Sequence, residues 1–416
     1  MIFYLVGIKG SGMSALAKLL AQQGHIVRGV DIEDYVYTEN NLTDCKVECF
    51  NKMSLKSYYF YIIGNAFINH SVTKYIKLMR YYYIEYARFI AWYFKKYNFI
   101  SVAGSHGKTT TTKMLSTLYN SSSYLIGDGT GSGLDKFNFI IESCEYKNSF
   151  LNYNPNVCLI LNIDYDHPDF FIKRDDYIEA FNKLALKSKI VVINGDDVNA
   201  KKIIKKTYIT YGLDKENDIV FSYIIDNGKM LVTILGRAFT IPFLGKHYAY
   251  DFVGAYLVCK LAGITDDEID NRIKMLELPK RRMDELTIND SVVIHDYAHH
   301  PTELKSVYES IKLKYPNKKI ICIFQPHTIS RTISLKSEFK SALKLFDSCY
   351  LLSIFTSIRE GLNQTIENEV YEFWGYTCIS KLDAININLE PNTVYLYAGA
   401  GDIDGVFLEI KNKIKV

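Results

Sequence analysis

Val102-Ala-Gly-Ser-His-Gly-Lys-Thr-Thr-Thr-Thr112 is the stretch whose reading decides the fold. Before it, Asn98-Phe-Ile-Ser-Val-Ala103 is apolar and β-branched enough for a buried strand. After it, Lys113-Met-Leu-Ser-Thr-Leu-Tyr119 puts Met114, Leu115 and Leu118 on one helical face. Strand, glycine loop and helix in that order make a phosphate cradle. Gly104 and Gly107 let backbone N–H groups close around an anion, the helix N-terminus points its positive end at it, and Lys108 adds a mobile cation. Thr109 is placed to offer its hydroxyl to Mg²⁺. The spacing is a compressed P-loop, Gly104-x-x-Gly107-Lys108-Thr109, with Val102 where the common pattern has its first glycine. Alone, the loop indicates a nucleoside triphosphate and leaves the reaction open, with a plain strand-to-helix turn and a solvated lysine as the alternative.

Upstream, Ile2-Phe-Tyr-Leu-Val6 reads as a strand, followed by Gly7-Ile-Lys-Gly-Ser-Gly-Met13 and a helix carrying Leu16, Leu19 and Leu20 on one face. Ile26-Val-Arg-Gly-Val30 is the next strand, ending at Asp31. This βαβ unit has glycines at 7, 10 and 12, a spacing that suits a dinucleotide or a nucleotide-linked diphosphate. Tyr61-Ile-Ile-Gly-Asn65 adds a strand with Asn65 at its carboxyl end, where open α/β sheets bind ligands. The runs Tyr58-Tyr-Phe-Tyr61 and Tyr81-Tyr-Tyr83 read as stacking platforms or as ordinary strand and helix faces.

Downstream, Phe137-Asn-Phe-Ile-Ile141 ends in Glu142, Val157-Cys-Leu-Ile-Leu161 runs into Asn162-Ile-Asp-Tyr-Asp-His-Pro-Asp169, and Ile190-Val-Val-Ile193 repeats the pattern. Alternating strands and helices predict a largely parallel sheet. Ile219 to Pro242, with Asp226-Asn-Gly228 as a turn, predicts a small antiparallel excursion. A helix from Gly245-Lys-His247 through Leu261 follows. The last third alternates again, with strands at Val292–Ile294, Ile320–Phe324, Cys349–Ser353 and Val394–Tyr397 and helices at Leu304–Ile311 and Leu335–Leu345.

With 416 residues, 48% of them hydrophobic, the chain has room for about three domains with cores of their own. Their expected limits are 1–98, 99–279 and 280–416. A net charge of +3 makes no electrostatic case for nucleic acid or a membrane surface. No run reaches the roughly 18 apolar residues of a membrane span, and Met1-Ile-Phe-Tyr-Leu-Val-Gly7 lacks the flanks of a signal peptide. The eight cysteines form no C-x-x-C pair and several sit in apolar runs, which points to the reducing cytoplasm.

Polar clusters follow strands throughout the chain: Lys108 and Thr109, Glu142 with Glu145, His167, Asp296 with His299 and His300, His327 with Arg331, and Gly399-Ala-Gly-Asp402. Together these motifs resemble the Mur ligases of peptidoglycan synthesis. The resemblance spans essentially the whole chain. It rests on Gly7-Ile-Lys-Gly-Ser-Gly-Met-Ser14, Gly104-Ser-His-Gly-Lys-Thr109, Glu142-Ser-Cys-Glu-Tyr146, the Asn162–Asp169 run, Asp296-Tyr-Ala-His-His-Pro-Thr-Glu303, Phe324-Gln-Pro-His-Thr-Ile-Ser-Arg-Thr332 and Ala398-Gly-Ala-Gly-Asp-Ile403.

The resemblance implies an α/β enzyme of three domains. A Rossmann-like N-terminal domain would hold a UDP-sugar, a P-loop-type central domain with a mostly parallel sheet would hold ATP, and a Rossmann-like C-terminal domain would hold the incoming amino acid. Within the family the motifs are most similar to the branch that adds L-alanine to UDP-N-acetylmuramate. A sister branch adding a recycled peptide, a non-catalytic UDP-sugar binder and, from the first βαβ unit, a nicotinamide oxidoreductase are the competing readings. By match to family motifs, the catalytic residues are Lys108, Glu142, His167, Arg282 and Asp296. ATP would lie against Gly104, Ser105, His106, Gly107, Lys108, Thr109, Thr110, His247, Tyr248, Asp251, Arg282 and Asp296. Mg²⁺ would be held by Thr109, Glu142 and His167, and the UDP-sugar by Gly10, Ser11, Gly12, Met13, Asp31, Asn65 and His167. Tyr297, His299, His327 and Arg331 would surround the amino acid. The implied protein works in the cytoplasm as a monomer or weak homodimer. Three positions depart from the family: Tyr248 and Asp251 stand where asparagines usually contact the nucleotide, and His295 breaks the acidic pair usual before Tyr297.

Overall fold

The computed structural model describes residues 1–33, 36–119, 121–203, 208–356 and 364–414. Three sheets follow one another along the chain, each built where the sequence alternates apolar strands with amphipathic helices. In the first, the strands Lys46–Cys49, Ile26–Asp31, Ile2–Val6, Phe60–Ile63 and Tyr83–Glu85 lie side by side in that order, all parallel. The second centres on Asn98–Ala103, flanked by Val157–Ile160 and Asn138–Glu142, again parallel. At one edge, Ile219–Asp226, Lys229–Ile234 and Arg237–Ile241 form the expected antiparallel excursion, turning at Asn227-Gly228. In the third sheet, Ser291–Asp296, Thr393–Ala398, Lys319–Phe324 and Ser348–Leu351 run parallel.

The helix expected over Leu335–Leu345 is Lys336–Leu343, and a further short helix, Ile329–Ser334, precedes it, the two meeting at Leu335. Leu335 is buried and leaves helical geometry (φ −115°, ψ 22°), so its side chain enters the core while the chain bends. The first of these helices begins just past Pro326, which places Arg331 on a short arm at the sheet's carboxyl edge. The tyrosine runs split: Tyr59 and Tyr61 are core, whereas Tyr58, Tyr82 and Tyr83 are exposed. Tyr59 stacks on Tyr4 with ring centroids 5.4 Å apart, and Tyr81 stacks on Tyr61 at 5.8 Å.

One apolar core joins the first two sheets, running from Phe3 and Leu16 through Phe94 and Phe139 to Phe181. Gly131 makes the joint tight. A Cβ there would stand 2.1 Å from the Ala15 carbonyl oxygen, so the glycine-rich turn lies directly on the helix Ser11–Gln22. Asn41 Nδ2 donates to the Gly129 carbonyl and the Gly133 N–H donates to Gln22 Oε1 across the same seam. The third sheet has separate cores of its own. It meets the second edge to edge, each presenting the carboxyl ends of its strands. That edge is where α/β sheets build sites.

Candidate active site

The strand Asn98–Ala103 delivers the phosphate loop, and the helix Lys108–Leu118 opens at its far end. Gly107, at φ 80°, makes the left-handed turn that starts the helix. Ser105 Oγ donates to the Asp164 carbonyl, and the His106 N–H donates to Asn162 Oδ1, tying the loop to the segment after Val157–Ile160. Lys108 Nζ donates to the Gly104 and Ser105 carbonyls and pairs with Glu145 at 3.0 Å. Burial works against that ammonium, but the Glu145 carboxylate keeps its pKa above the ordinary lysine range. Glu145 is 1% exposed; burial opposes its charge and Lys108 more than restores it, holding it below the usual carboxylate value. Its other oxygen meets His167 Nε2 at 3.3 Å. Lys108, Glu145 and His167 thus form one chain of contacts.

Glu142, ending its strand, accepts from the Gly127 N–H and faces the Thr109 hydroxyl. Burial raises its pKa against the pull of Lys108. A cavity of about 300 Å³ opens from Glu142 toward the first sheet, lined also by Gly10, Ser11, Gly12, Met13 and Asn65. The first glycine turn and the Glu142 carboxylate therefore share one hollow. Asp31, expected on the sugar nucleotide, is not on its wall. Its two oxygens accept from the Lys9 and Ile32 N–H groups, so it braces the loop from below. A carboxylate at a strand end meets the backbone of the facing turn before it meets a ligand.

On the third sheet, Arg282 is half-buried and pairs with Asp296 at 3.5 Å and Glu303 at 3.3 Å. Asp296 also accepts from the Met283 and Ala298 N–H groups, and burial pushes its pKa up to about 6 against the pull of Arg282. Arg282 and Asp296 line a cleft with His106, Gly107, Thr110, His247, Tyr248 and Asp251. Burial with Arg282 nearby lowers His247 to about 4, leaving it neutral. Tyr248 packs on His247, ring centroids 3.9 Å apart. Tyr297 lies under the guanidinium groups of Arg281 and Arg282. His299 pairs with Glu303 at 3.1 Å and meets His327 at 5.9 Å between rings.

Arg331 is one of the residues expected around the amino acid. It is instead engaged by the protein: Nε and Nη2 donate to the two oxygens of Asp166 at 2.8 and 3.1 Å, with both side chains 6% exposed. The pair crosses from the third sheet to the second. Thr302 Oγ1 donates to Asp164 Oδ2 at 2.5 Å across the same seam. His106 stands between Asp164 (3.1 Å) and Glu303 (3.8 Å), one on each side. Asp164, Asp166, Glu145 and Glu303 are the parts whose roles the sequence left unassigned, although each sits inside a quoted motif.

The His106 site has a signed pH dependence. Burial lowers its pKa, but Asp164 and Glu303 outweigh this and raise it to about 9 from an ordinary 6.5. Asp164 belongs to the second sheet with His106, so only the Glu303 share of this shift reaches the third; that share is complete below pH 6.5 and is lost as pH rises through about 9. Small-angle scattering should show the molecule expanding between pH 7 and 9.5, and H106Q should abolish that change.

Three family models match consecutive stretches: the Mur ligase family catalytic domain over residues 2–98, the Mur ligase middle domain over 135–259, and the Mur ligase glutamate ligase domain over 281–401. The chain belongs to the Mur ligase family. Its members are ATP-dependent amide-bond ligases of peptidoglycan synthesis. Among solved structures, UDP-N-acetylmuramate-alanine ligase MurC from Thermotoga maritima superposes with a TM-score of 0.81 at 21% identity, covering 100% of this chain and 99% of its own. A murein peptide ligase from Psychrobacter arcticus gives 0.74 at 18%, covering 99% and 98%. MurF ligase from Thermotoga maritima, solved with ADP, gives 0.62 at 18%, covering 94% and 95%. At these identities the likeness is one of fold, and the Mur ligase architecture runs the full length of the chain. Among the described residues no helix is long and apolar enough to cross a membrane.

Proposed function

We propose that this Mur ligase joins L-alanine to the lactyl carboxylate of UDP-N-acetylmuramate, giving ADP and phosphate. The observation that carries the reading is the single hollow lined by Gly10–Met13, Asn65 and Glu142. A diphosphate on the N-terminus of the helix Ser11–Gln22 would direct its sugar toward the phosphate loop. A free carboxylate resists amine attack because oxide is a poor leaving group, and transfer of a γ-phosphoryl group to it removes that obstacle. The transfer needs positioning and charge neutralisation rather than covalent help from the protein.

Lys108 neutralises the phosphates from the loop side, and Arg282 faces it from the third sheet. Glu145 fixes Lys108 and His167 relative to each other. Glu142 presents its carboxylate to the hollow with the Thr109 hydroxyl against it, an oxygen pair that suits Mg²⁺ alongside substrate phosphates. Burial raises the Glu142 pKa, and a cation beside it would favour the charged form. His167, its Nε2 set against Glu145, would serve a second cation near the substrate carboxylate. When bound, Mg²⁺ supplies charge neutralisation between the phosphates. His299 and His327 lie at the mouth on the third sheet, where the amine would enter. Closing the sheets around Arg331–Asp166 would keep water from the acyl phosphate.

The reading predicts phosphate release from Mg-ATP that requires UDP-N-acetylmuramate and L-alanine together. Release supported by a muropeptide and not by L-alanine would assign the protein to peptide recycling. Sugar-nucleotide binding with no release under either condition would make it a non-catalytic binder.

A further inference from the structure

His106, Asp164 and His300 bring two imidazoles and a carboxylate to one point on the seam between the second and third sheets. The donor atoms they offer all lie within 4.8 Å of one another. His106 Nε2 is 3.1 Å from Asp164 Oδ2, and His300 Nδ1 is 3.6 Å from the same oxygen. The two rings have centroids 4.5 Å apart. Donors about 2.0–2.2 Å from a tetrahedral ion stand roughly 3.3 Å from one another, so the two gaps bracket the edge that such an ion needs.

The donor set is too rich in nitrogen for the ion that serves nucleotide phosphates. Mg²⁺ favours oxygen, whereas two imidazoles with one carboxylate suit Zn²⁺ and its transition-metal neighbours. We propose that His106, Asp164 and His300 form a site for a divalent ion of the zinc class, which clamps the third sheet onto the second. His106 and Asp164 belong to the second sheet and His300 to the third, so the ion bridges a seam otherwise held by hydrogen bonds and ion pairs. The site is separate from the Thr109 and Glu142 pair, and it does not need the ligation reaction.

The surroundings prepare these donors. Glu303 Oε1 lies 3.8 Å from His106 Nδ1, so a carboxylate stands behind the ring whose Nε2 would meet the ion, an arrangement that orients metal-binding histidines. The Thr302 N–H donates to His300 Nδ1 at a long 3.3 Å, which marks that nitrogen as the unprotonated one. An unprotonated nitrogen and a carboxylate oxygen 3.6 Å apart repel until a cation comes between them. Asp164 is partly exposed, and His106 and Thr302 line the cleft beside the phosphate loop, so an ion and its water have a path in. Although burial favours a neutral His106, Asp164 and Glu303 hold a proton on it. The ion must displace that proton, so binding releases acid.

Co²⁺ is the probe, because a four-coordinate cobalt ion absorbs visible light far more strongly than an octahedral one. Tag-free protein at pH 8 with excess Mg²⁺ should develop that absorption with equimolar Co²⁺, and Zn²⁺ should displace it. Equimolar Zn²⁺ should also contract the radius of gyration. H106Q, H300Q and D164N should each weaken Co²⁺ binding by about tenfold or more and lose the contraction. D164N changes a partly exposed side chain without changing its size, which guards against loss of fold in the histidine variants. H167Q removes the histidine assigned to the substrate carboxylate and should keep the absorption. Absence of the visible band, its retention in H300Q and D164N, or its loss in H167Q would overturn the site. Zn²⁺ binding with no contraction would overturn the clamp.

Discussion

Lys108→Ala is expected to lower phosphate release with both substrates by about 10³-fold or more, through turnover rather than ADP affinity. Lys108 is the cation whose Nζ reaches the loop carbonyls and Glu145 at once. Its removal takes a positive charge from where the transferring group develops negative charge, in a site largely closed to water. It also strands Glu145, 1% exposed, with only His167 beside it. A buried carboxylate deprived of its cation is destabilising, so the variant should melt lower as well. Lys108→Arg separates the two effects. It keeps the charge and should recover most of the melting temperature, but the planar guanidinium cannot replace an ammonium held among three oxygens, and turnover should stay low. Turnover within tenfold of wild type in either variant would exclude Lys108 from phosphoryl transfer.

The second large effect is at the seam. Asp166→Ala leaves the Arg331 guanidinium buried and unpaired, a loss of about 3–5 kcal/mol. This falls on the interface between the second and third sheets rather than on either core. The closed population should drop by about 10²–10³-fold, visible as an enlarged radius of gyration and a comparable loss in kcat/KM for the amino acid. UDP-sugar binding should change little, because that hollow lies wholly on the first two sheets. Arg331→Lys should not rescue, since one ammonium cannot make the bidentate contact. An unchanged radius in Asp166→Ala would show that the pair does not hold the sheets together.

Much of this architecture was legible because its signals are local. A strand, two glycines and a lysine within a dozen residues specify a phosphate loop wherever they occur, and hydrophobic period separates the strands from the helices around them. Arg331 shows where such reading stops. Its partner is 165 residues away, and an arginine beside a histidine in Gln325-Pro-His-Thr-Ile-Ser-Arg331 carries the same local pattern whether it meets a ligand or a neighbouring sheet. Asp31 was misplaced for a related reason: a strand-end carboxylate faces both a ligand cleft and the adjoining loop, and only the Lys9 N–H position separates the two. Glu145 stood in plain view beside Glu142, but its link between Lys108 and His167 requires three segments to converge. The short helix Ile329–Ser334 was not read because six residues are too few to show a helical period.

The seam at Gly131 and the seam at Arg331 differ in kind. The first is backbone against backbone inside a continuous apolar core, with no room for even a methyl group. The second is a set of charged groups on separately built cores. Folding alone therefore sets the separation between sugar hollow and phosphate loop, as a fixed ruler. The one length left for ligands to adjust is the gap to the third sheet, so the molecule works as a gauge with a single moving jaw.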